Sequence, residues 1–347
     1  MIQKVTDKRT VFVLGAGASC PYGYPSGAEL RKLICFEEGF WNSYTEYLRR
    51  NKSVESIKGD RTREVNQFRN VFNNANIKSI DVFMAANPKL APIGKYIIAF
   101  EVFRSEQQSC FGEEAKRRQE RLEDLSQSPD KKRYLWGIAC FQGGDWYFYL
   151  YNRLIEGLVG KDALPDFSDD KISFITFNYD RSLEHFLYES LSNSFTEVLE
   201  TEVIKCLKKL KILHVYGQVA PLKWQDSEQG IDYRPEINEP LLQKAATNIK
   251  TIYEQKESSV LNDAQKLLAQ AEKIFFLGFG YAPENLDVLK LPDRNKRPTD
   301  ICGTAYGLED RELHDCRNKI IEWLPAEFPD QVRIKNMDCL KLLRNYL

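Results

Sequence analysis

Histidine is scarce in this chain, three in 347 residues, which argues against a histidine-rich metal site. The eight cysteines, Cys20, Cys35, Cys110, Cys140, Cys206, Cys302, Cys316 and Cys339, lie far apart with no C-x-x-C pair. That spacing excludes a paired-cysteine zinc ribbon and a small disulfide framework, so the thiols read as reduced and mainly structural. Net charge is nearly absent, since 49 basic and 50 acidic residues leave −1. Bulk electrostatics therefore announces neither nucleic-acid binding nor an anionic membrane surface. No apolar run approaches the roughly 20 residues needed to span a bilayer. The stretch Met1 to Thr10 carries charge without a signal-peptide core. These absences point to a cytoplasmic protein without a membrane partner. Neither internal repeats nor low-complexity tracts occur.

What remains is an ordinary globular composition, 43% hydrophobic and 29% charged, long enough for one large domain or two. Val11 to Leu14 is an apolar strand that runs into Gly15-Ala16-Gly17-Ala18-Ser19 and then, from Ser26 after Pro25, into a helix. Gly15 and Gly17 carry no Cβ, so successive N–H groups and the following helix N-terminus can approach an anion closely without a basic side chain. Cys20 stands where G-x-G-x-x-G has its third glycine, and a structural turn from strand to helix has the same appearance. Five more segments read as buried strands: Ile172 to Phe177, Ile212 to Tyr216, Lys273 to Leu277, Thr299 to Cys302 and Val332 to Ile334. Helical patterns separate most of them. The expected fold is α/β, a doubly wound, Rossmann-like parallel sheet of about six strands.

A large helical insertion interrupts it. Residues 35–164 show helical periodicity, with pieces at Phe36 to Arg50, Thr62 to Ala75, Leu90 to Gln107 and Asp145 to Leu158. The domains are therefore expected as 1–34 with 165–347, and 35–164. The aromatics Trp146, Tyr147, Phe148, Tyr149 and Tyr151 form a stripe suited to a core or a subunit interface. Glu113 to Arg133 mixes charges of both signs and reads as a solvated helix or connection. Pro221 to Pro240 reads as a loop, either plain surface or a cover folding over a bound ligand.

Ligands of open parallel sheets bind beyond the carboxyl ends of the strands, which singles out three segments. In Thr176-Phe177-Asn178-Tyr179-Asp180, Asn178 can fix a sugar hydroxyl or a water molecule. Asp180 can accept from a carboxamide or stabilise a developing cation, and equally can cap the next helix. In Leu213-His214-Val215-Tyr216-Gly217, His214 can act as a general base or be structural. Gly278-Phe279-Gly280 repeats the first glycine motif, with Asn285 as a ribose partner, and Thr304 closes a strand end that can border an adenine ring or be a simple turn.

In this order the segments resemble the sirtuin-like family, and more closely its bacterial antiphage branch, over about the first 30 residues and from Ile172 to about Gly307. Ser79-Ile80-Asp81-Val82-Phe83 is similar to a short motif of the insertion in that branch. The resemblance implies that Gly15, Ala16, Gly17, Ala18, Ser19, Pro25 and Ser26 grip NAD+ phosphates. It implies further that Asn178 and Asp180 face the nicotinamide ribose and that His214 is the catalytic base. The absence of paired cysteines departs from the zinc-bearing deacylases, so deacylase activity is disfavoured and no metal is expected.

The resemblance thus implies an NAD+ glycohydrolase releasing ADP-ribose and nicotinamide, with Asn178 orienting ribose and water, His214 taking a proton and Asp180 assisting the nicotinamide side. It also implies an antiphage effector held off until triggered: a homo-oligomer, activated by assembly, a phage-derived activator or a HerA-type ring ATPase. A non-catalytic sensor of NAD+ or ADP-ribose is the alternative. A dehydrogenase fits poorly, because Glu29 to Glu37 is helical where an acidic strand end should follow about 20 residues after the glycines.

Overall fold

Every residue of β1 (Thr10–Leu14) is buried, as a strand covered on both faces requires. In the computed structural model, which describes residues 7–37, 44, 55–109, 144–158, 164–252, 254, 259–289, 300–322 and 329–347, β1 lies at the middle of one sheet. The other strands are β2 (Ile172–Thr176), β3 (Lys211–His214), β4 (Lys273–Leu277), β5 (Asp300–Thr304) and β6 (Val332–Lys335). All pairs are parallel, in the order β3-β2-β1-β4-β5-β6. The order reverses between β1 and β4, which opens a crevice beyond their carboxyl ends. The expected doubly wound fold is thus the observed one.

Alternation along the strands builds two cores. Phe12 and Leu14 join one apolar cluster, Val11 and Val13 the other. The parallel register sets Phe12 opposite Phe174 and Phe275, and the rings stack with centroids 5.2 and 5.4 Å apart.

Twelve α-helices occur among the described residues. α1 (Gly27–Phe36) follows β1 through two short 3-10 turns rather than directly. Its capping box, Ser26 Oγ accepting from Glu29 N–H at 3.3 Å and Glu29 Oε2 accepting from Ser26 N–H at 2.9 Å, explains the start at Ser26. The insertion contributes α2 (Glu55–Asn74), α3 (Ile80–Ala86), α4 (Ala91–Gln108) and α5 (Trp146–Ile155). The rest are α6 (Ser182–Ser194), α7 (Glu200–Leu207), α8 (Glu239–Asn248), α9 (Ser259–Gln270), α10 (Pro283–Leu289), α11 (Asp310–Ile321) and α12 (Cys339–Tyr346). None of the described helices is long and apolar enough to cross a membrane.

Phe68, Phe83, Phe100 and Trp146 of the insertion share one buried cluster with Phe12 and Phe174, so these helices extend the core on one face of the sheet. The expected break at residue 34 falls inside α1, which continues to Phe36. The aromatic stripe of α5 is core: Trp146, Tyr147 and Tyr151 are buried and only Phe148 stands out. Its aromatic face is therefore not available as an oligomer surface. The helix expected over Phe36 to Arg50 lies almost wholly outside the described residues, as do the segment Glu113 to Arg133, Cys110 and Cys140.

Candidate functional site

The two glycine segments meet each other at the switch point. Gly15 N–H donates to Leu277 O and Gly17 N–H to Gly278 O, each at 3.0 Å. A Cβ on Gly15 would fall 2.5 Å from Gly278 O, and one on Gly278, whose φ is +57°, would fall 1.9 Å from Ala18 N. The glycines are therefore small because two loops pack backbone to backbone. This corrects the expected cradle of successive free N–H groups. Ala18 and Ser19 donate back to Gly15 O and Ala16 O, leaving Ala16 as the amide of this loop without a partner among the described residues. Trp146 Nε1 fixes the loop by donating to Ala18 O at 2.8 Å.

Beside these loops lies a cavity of about 370 Å³, within the range of small-molecule sites. It brings together most residues singled out in the sequence: Gly15, Ala16, Gly17, Ser19, Pro25, Ser26, Asn178, Asp180, Gly278, Phe279, Gly280 and Asn285. Three others do not line it. Ala18 is fully buried behind the loop. Thr304, buried on β5, accepts from Gly278 N–H at 2.8 Å and so braces the second glycine turn instead of bordering a ligand. His214 lies behind Asn178.

Asn178 is the most informative side chain. Its Nδ2 donates to Gly15 O and Ser19 Oγ, both at 3.0 Å, and its own N–H donates to Thr176 Oγ1 at 3.0 Å. The carbonyl of Gly15 can only accept, which fixes the amide orientation. Oδ1 is then a buried acceptor with no partner among the described residues. Leaving such an atom unpaired costs about 1–3 kcal/mol, a cost that functional sites carry until a ligand or water pairs it.

Asp180 lines the same cavity and accepts from both the N–H and the hydroxyl of Ser182 at the start of α6. Asp180 thus both lines the cavity and bonds the first residue of α6, while Arg181 stands at the cap position without a side-chain cap bond. Burial pushes its carboxyl pKa up against the lowering hydrogen bonds from Ser182. Asp81, at the start of α3, also faces the cavity; burial raises its carboxyl, partly offset by the hydrogen bond from Tyr179 Oη.

His214 is held from both sides. Its Nδ1 sits 2.9 Å from Asn178 O and its Nε2 2.6 Å from Glu184 Oε1, a carboxylate on α6 that is 2% exposed. Burial alone would lower the imidazole pKa, but the Glu184 carboxylate and the Asn178 carbonyl override it and hold the pKa above its usual value. The remaining histidines are elsewhere: His185 stacks on Tyr233 at 3.7 Å and His314 lies on α11.

Sequence reasoning missed Tyr24, Ile98, Glu101, Val102 and Tyr179 as cavity residues, and Glu184 behind His214. Glu101 left a legible signal, one carboxylate inside the otherwise apolar run Ile97-Ile98-Ala99-Phe100-Glu101-Val102-Phe103; it pairs with Arg104 on the same helix. No lysine, arginine or histidine lines the cavity among the described residues. Nor do any three or more His, Cys, Asp or Glu side chains there form a group able to hold a metal ion.

The segment 221–240 does not line this cavity. It wraps the buried Arg181–Glu106 pair, with Arg181 donating to Ile231 O at 2.8 Å and Asp232 O at 2.7 Å, so it is a clamped loop rather than a cover. A second cavity of about 340 Å³, beside Gln218, Lys244 and Lys250, is lined by Pro221 and Gln229 of that segment and by none of the predicted catalytic or cofactor-binding residues. No protein-family model, curated protein or solved structure matches the chain.

Proposed function

We propose that this protein is an NAD+ glycohydrolase whose reaction centre is the cavity beside Asn178. The observation that carries the reading is the unpaired, buried Oδ1 of Asn178, a residue that lines the cavity where a doubly wound sheet reverses its strand order. An acceptor of this kind suits a ribose hydroxyl or an attacking water. The Ala16 N–H and the N-terminus of α1, where Gly27 lines the cavity, would meet the phosphates.

Nicotinamide leaves NAD+ as a neutral molecule from a cationic ring, so cleavage needs positioned groups and stabilised charge more than a strong nucleophile. The carboxyl groups of Asp81 and Asp180, residues that line the cavity, suit the positive charge that passes from the pyridinium to the sugar. A free NAD+ hydrolase would harm the cell that makes it. The proposal therefore includes restraint until assembly, a partner ATPase ring or a phage-derived activator releases it, in keeping with an antiphage role.

The test is nicotinamide release from NAD+ by the pure protein, alone and with candidate activators. Asn178→Ala is expected to lower turnover by at least about 10²-fold, the loss seen when one fixed polar group of a reaction centre is removed. Unchanged turnover in that variant defeats the assignment. NAD+ bound tightly but never cleaved would mark a sensor.

A further inference from the structure

The two hydrogen-bond partners of His214 decide what the ring can do. Asn178 O is a backbone carbonyl and Glu184 Oε1 belongs to a carboxylate, at 2.9 and 2.6 Å from Nδ1 and Nε2. Both are acceptors. A neutral imidazole carries one N–H, so either tautomer sets a nitrogen lone pair against an oxygen lone pair. Against an ionised Glu184 the two contacts are satisfied together when both nitrogens carry hydrogen and the charge rests against that carboxylate. A ring in that state has no lone pair to offer. Nor does it line the cavity, whereas Asp180, two residues along from Asn178, does.

On the reading that the chain hydrolyses NAD+, we infer that Asp180 takes the proton in the reaction, and that His214 with Glu184 are positioning residues which hold the Asn178 backbone. The Nδ1–H bond pins the carbonyl of Asn178. It thereby fixes the turn that places Asn178 and Asp180 beside one cavity. The charged groups facing the ring are Glu184 on α6 and Asp180 on the loop after β2.

The step balances without a co-reactant other than water. The bond from ribose C1′ to the pyridinium nitrogen breaks with its electron pair going to that nitrogen, and neutral nicotinamide departs. A water oxygen then forms the new bond to C1′, and its proton passes to an Asp180 carboxylate oxygen. Burial raises the pKa of that carboxyl, which makes it a stronger proton acceptor than an exposed one.

The closing experiment has two arms. Protein labelled with ¹⁵N in its three histidines gives few enough ring signals for His214→Gln to identify that of His214. At neutral pH both His214 nitrogens are expected to be protonated, and Glu184→Gln is expected to return the ring to a neutral tautomer. A neutral His214 ring in the native protein overturns the inference, whether or not the protein cleaves NAD+.

In the kinetic arm, Asp180→Asn is expected to lower kcat by at least about 10²-fold with KM little changed, as for loss of a general base. His214→Gln keeps a donor towards the Asn178 carbonyl and is expected to recover most of the turnover lost in His214→Ala. Equal losses in the two His214 variants, or undiminished kcat in Asp180→Asn, overturn the assignment. Absence of nicotinamide release from the native protein would instead sink the hydrolase reading while the spectra still report the state of the ring.

Discussion

Gly278 shows how a single missing Cβ joins two loops. Its φ of +57° and the 1.9 Å from a would-be Cβ to Ala18 N leave no side chain that fits. Gly278→Ala is expected to cost more than about 2 kcal/mol, combining positive-φ strain with displacement of the loop after β1. Gly280 is the control, because a Cβ there meets nothing within 4 Å; Gly280→Ala is expected to leave stability nearly unchanged. Urea unfolding of the two variants checks both, and equal midpoints would refute the packing account. The glycines were legible in the sequence as places needing close approach. What approaches them was not, because the partner of Gly15 and Gly17 is a backbone some 260 positions away, and G-x-G patterns look alike whether they meet a phosphate or another peptide. Asn178 and Asp180 were legible by their place after a strand, while the pairing of His214 with Glu184 was hidden in the packing of α6 against β3.

Among the elements, α6 is preceded at its cap position by a residue that organises more than its helix. Arg181 is fully buried, paired with Glu106 of α4 at 2.8 Å, and its remaining donors hold the carbonyls of Pro221, Ile231 and Asp232. Removing one member of a buried pair strands the other charge, at about 3–5 kcal/mol. Arg181→Met is therefore expected to destabilise the protein by that order and to release segment 221–240. Limited proteolysis should then cut within that segment, and an unchanged cleavage pattern would show that other contacts hold the loop. A polar stretch with glycine and proline was legible as a loop, but its anchoring was not, since the anchor is one arginine just before a helix of ordinary pattern. The aromatic helix α5 was found where expected, capped by Asp145 accepting from Phe148 N–H at 3.0 Å. α3 escaped notice because its seven residues span two turns, too few for periodicity to register.

For the whole molecule, the six strands were legible because a parallel sheet buried on both faces leaves short continuous apolar runs, and turn signals bound each of them. The merging of the insertion with the sheet core was not, since helical periodicity says which face is apolar but not what covers it. The buried histidines give the folded state a response to acid that follows from this packing. His185 has its pKa pushed down to about 4 by burial and by the charges of Arg234 and Arg181, against about 6.5 in an unfolded chain. Between those values the unfolded state binds the extra proton, so the stability due to a neutral His185 is complete above about pH 6.5 and is lost as pH falls towards 4, by up to about 3 kcal/mol. His214 has the opposite sign: its raised pKa contributes stability below about 6.5 that disappears as pH rises through the folded value. The carboxyls of Asp81, Glu106, Asp145 and Asp180, all raised by burial, likewise favour the fold as pH falls. A wild-type profile mixes these slopes, whereas the difference between wild type and His185→Gln isolates one of them. That difference in unfolding free energy, measured by urea titration, is expected to shrink steadily between about pH 6.5 and 4 in favour of the variant. A constant difference across the window would mean that His185 already titrates as it does in the unfolded chain, and that its stack on Tyr233 does not exclude water.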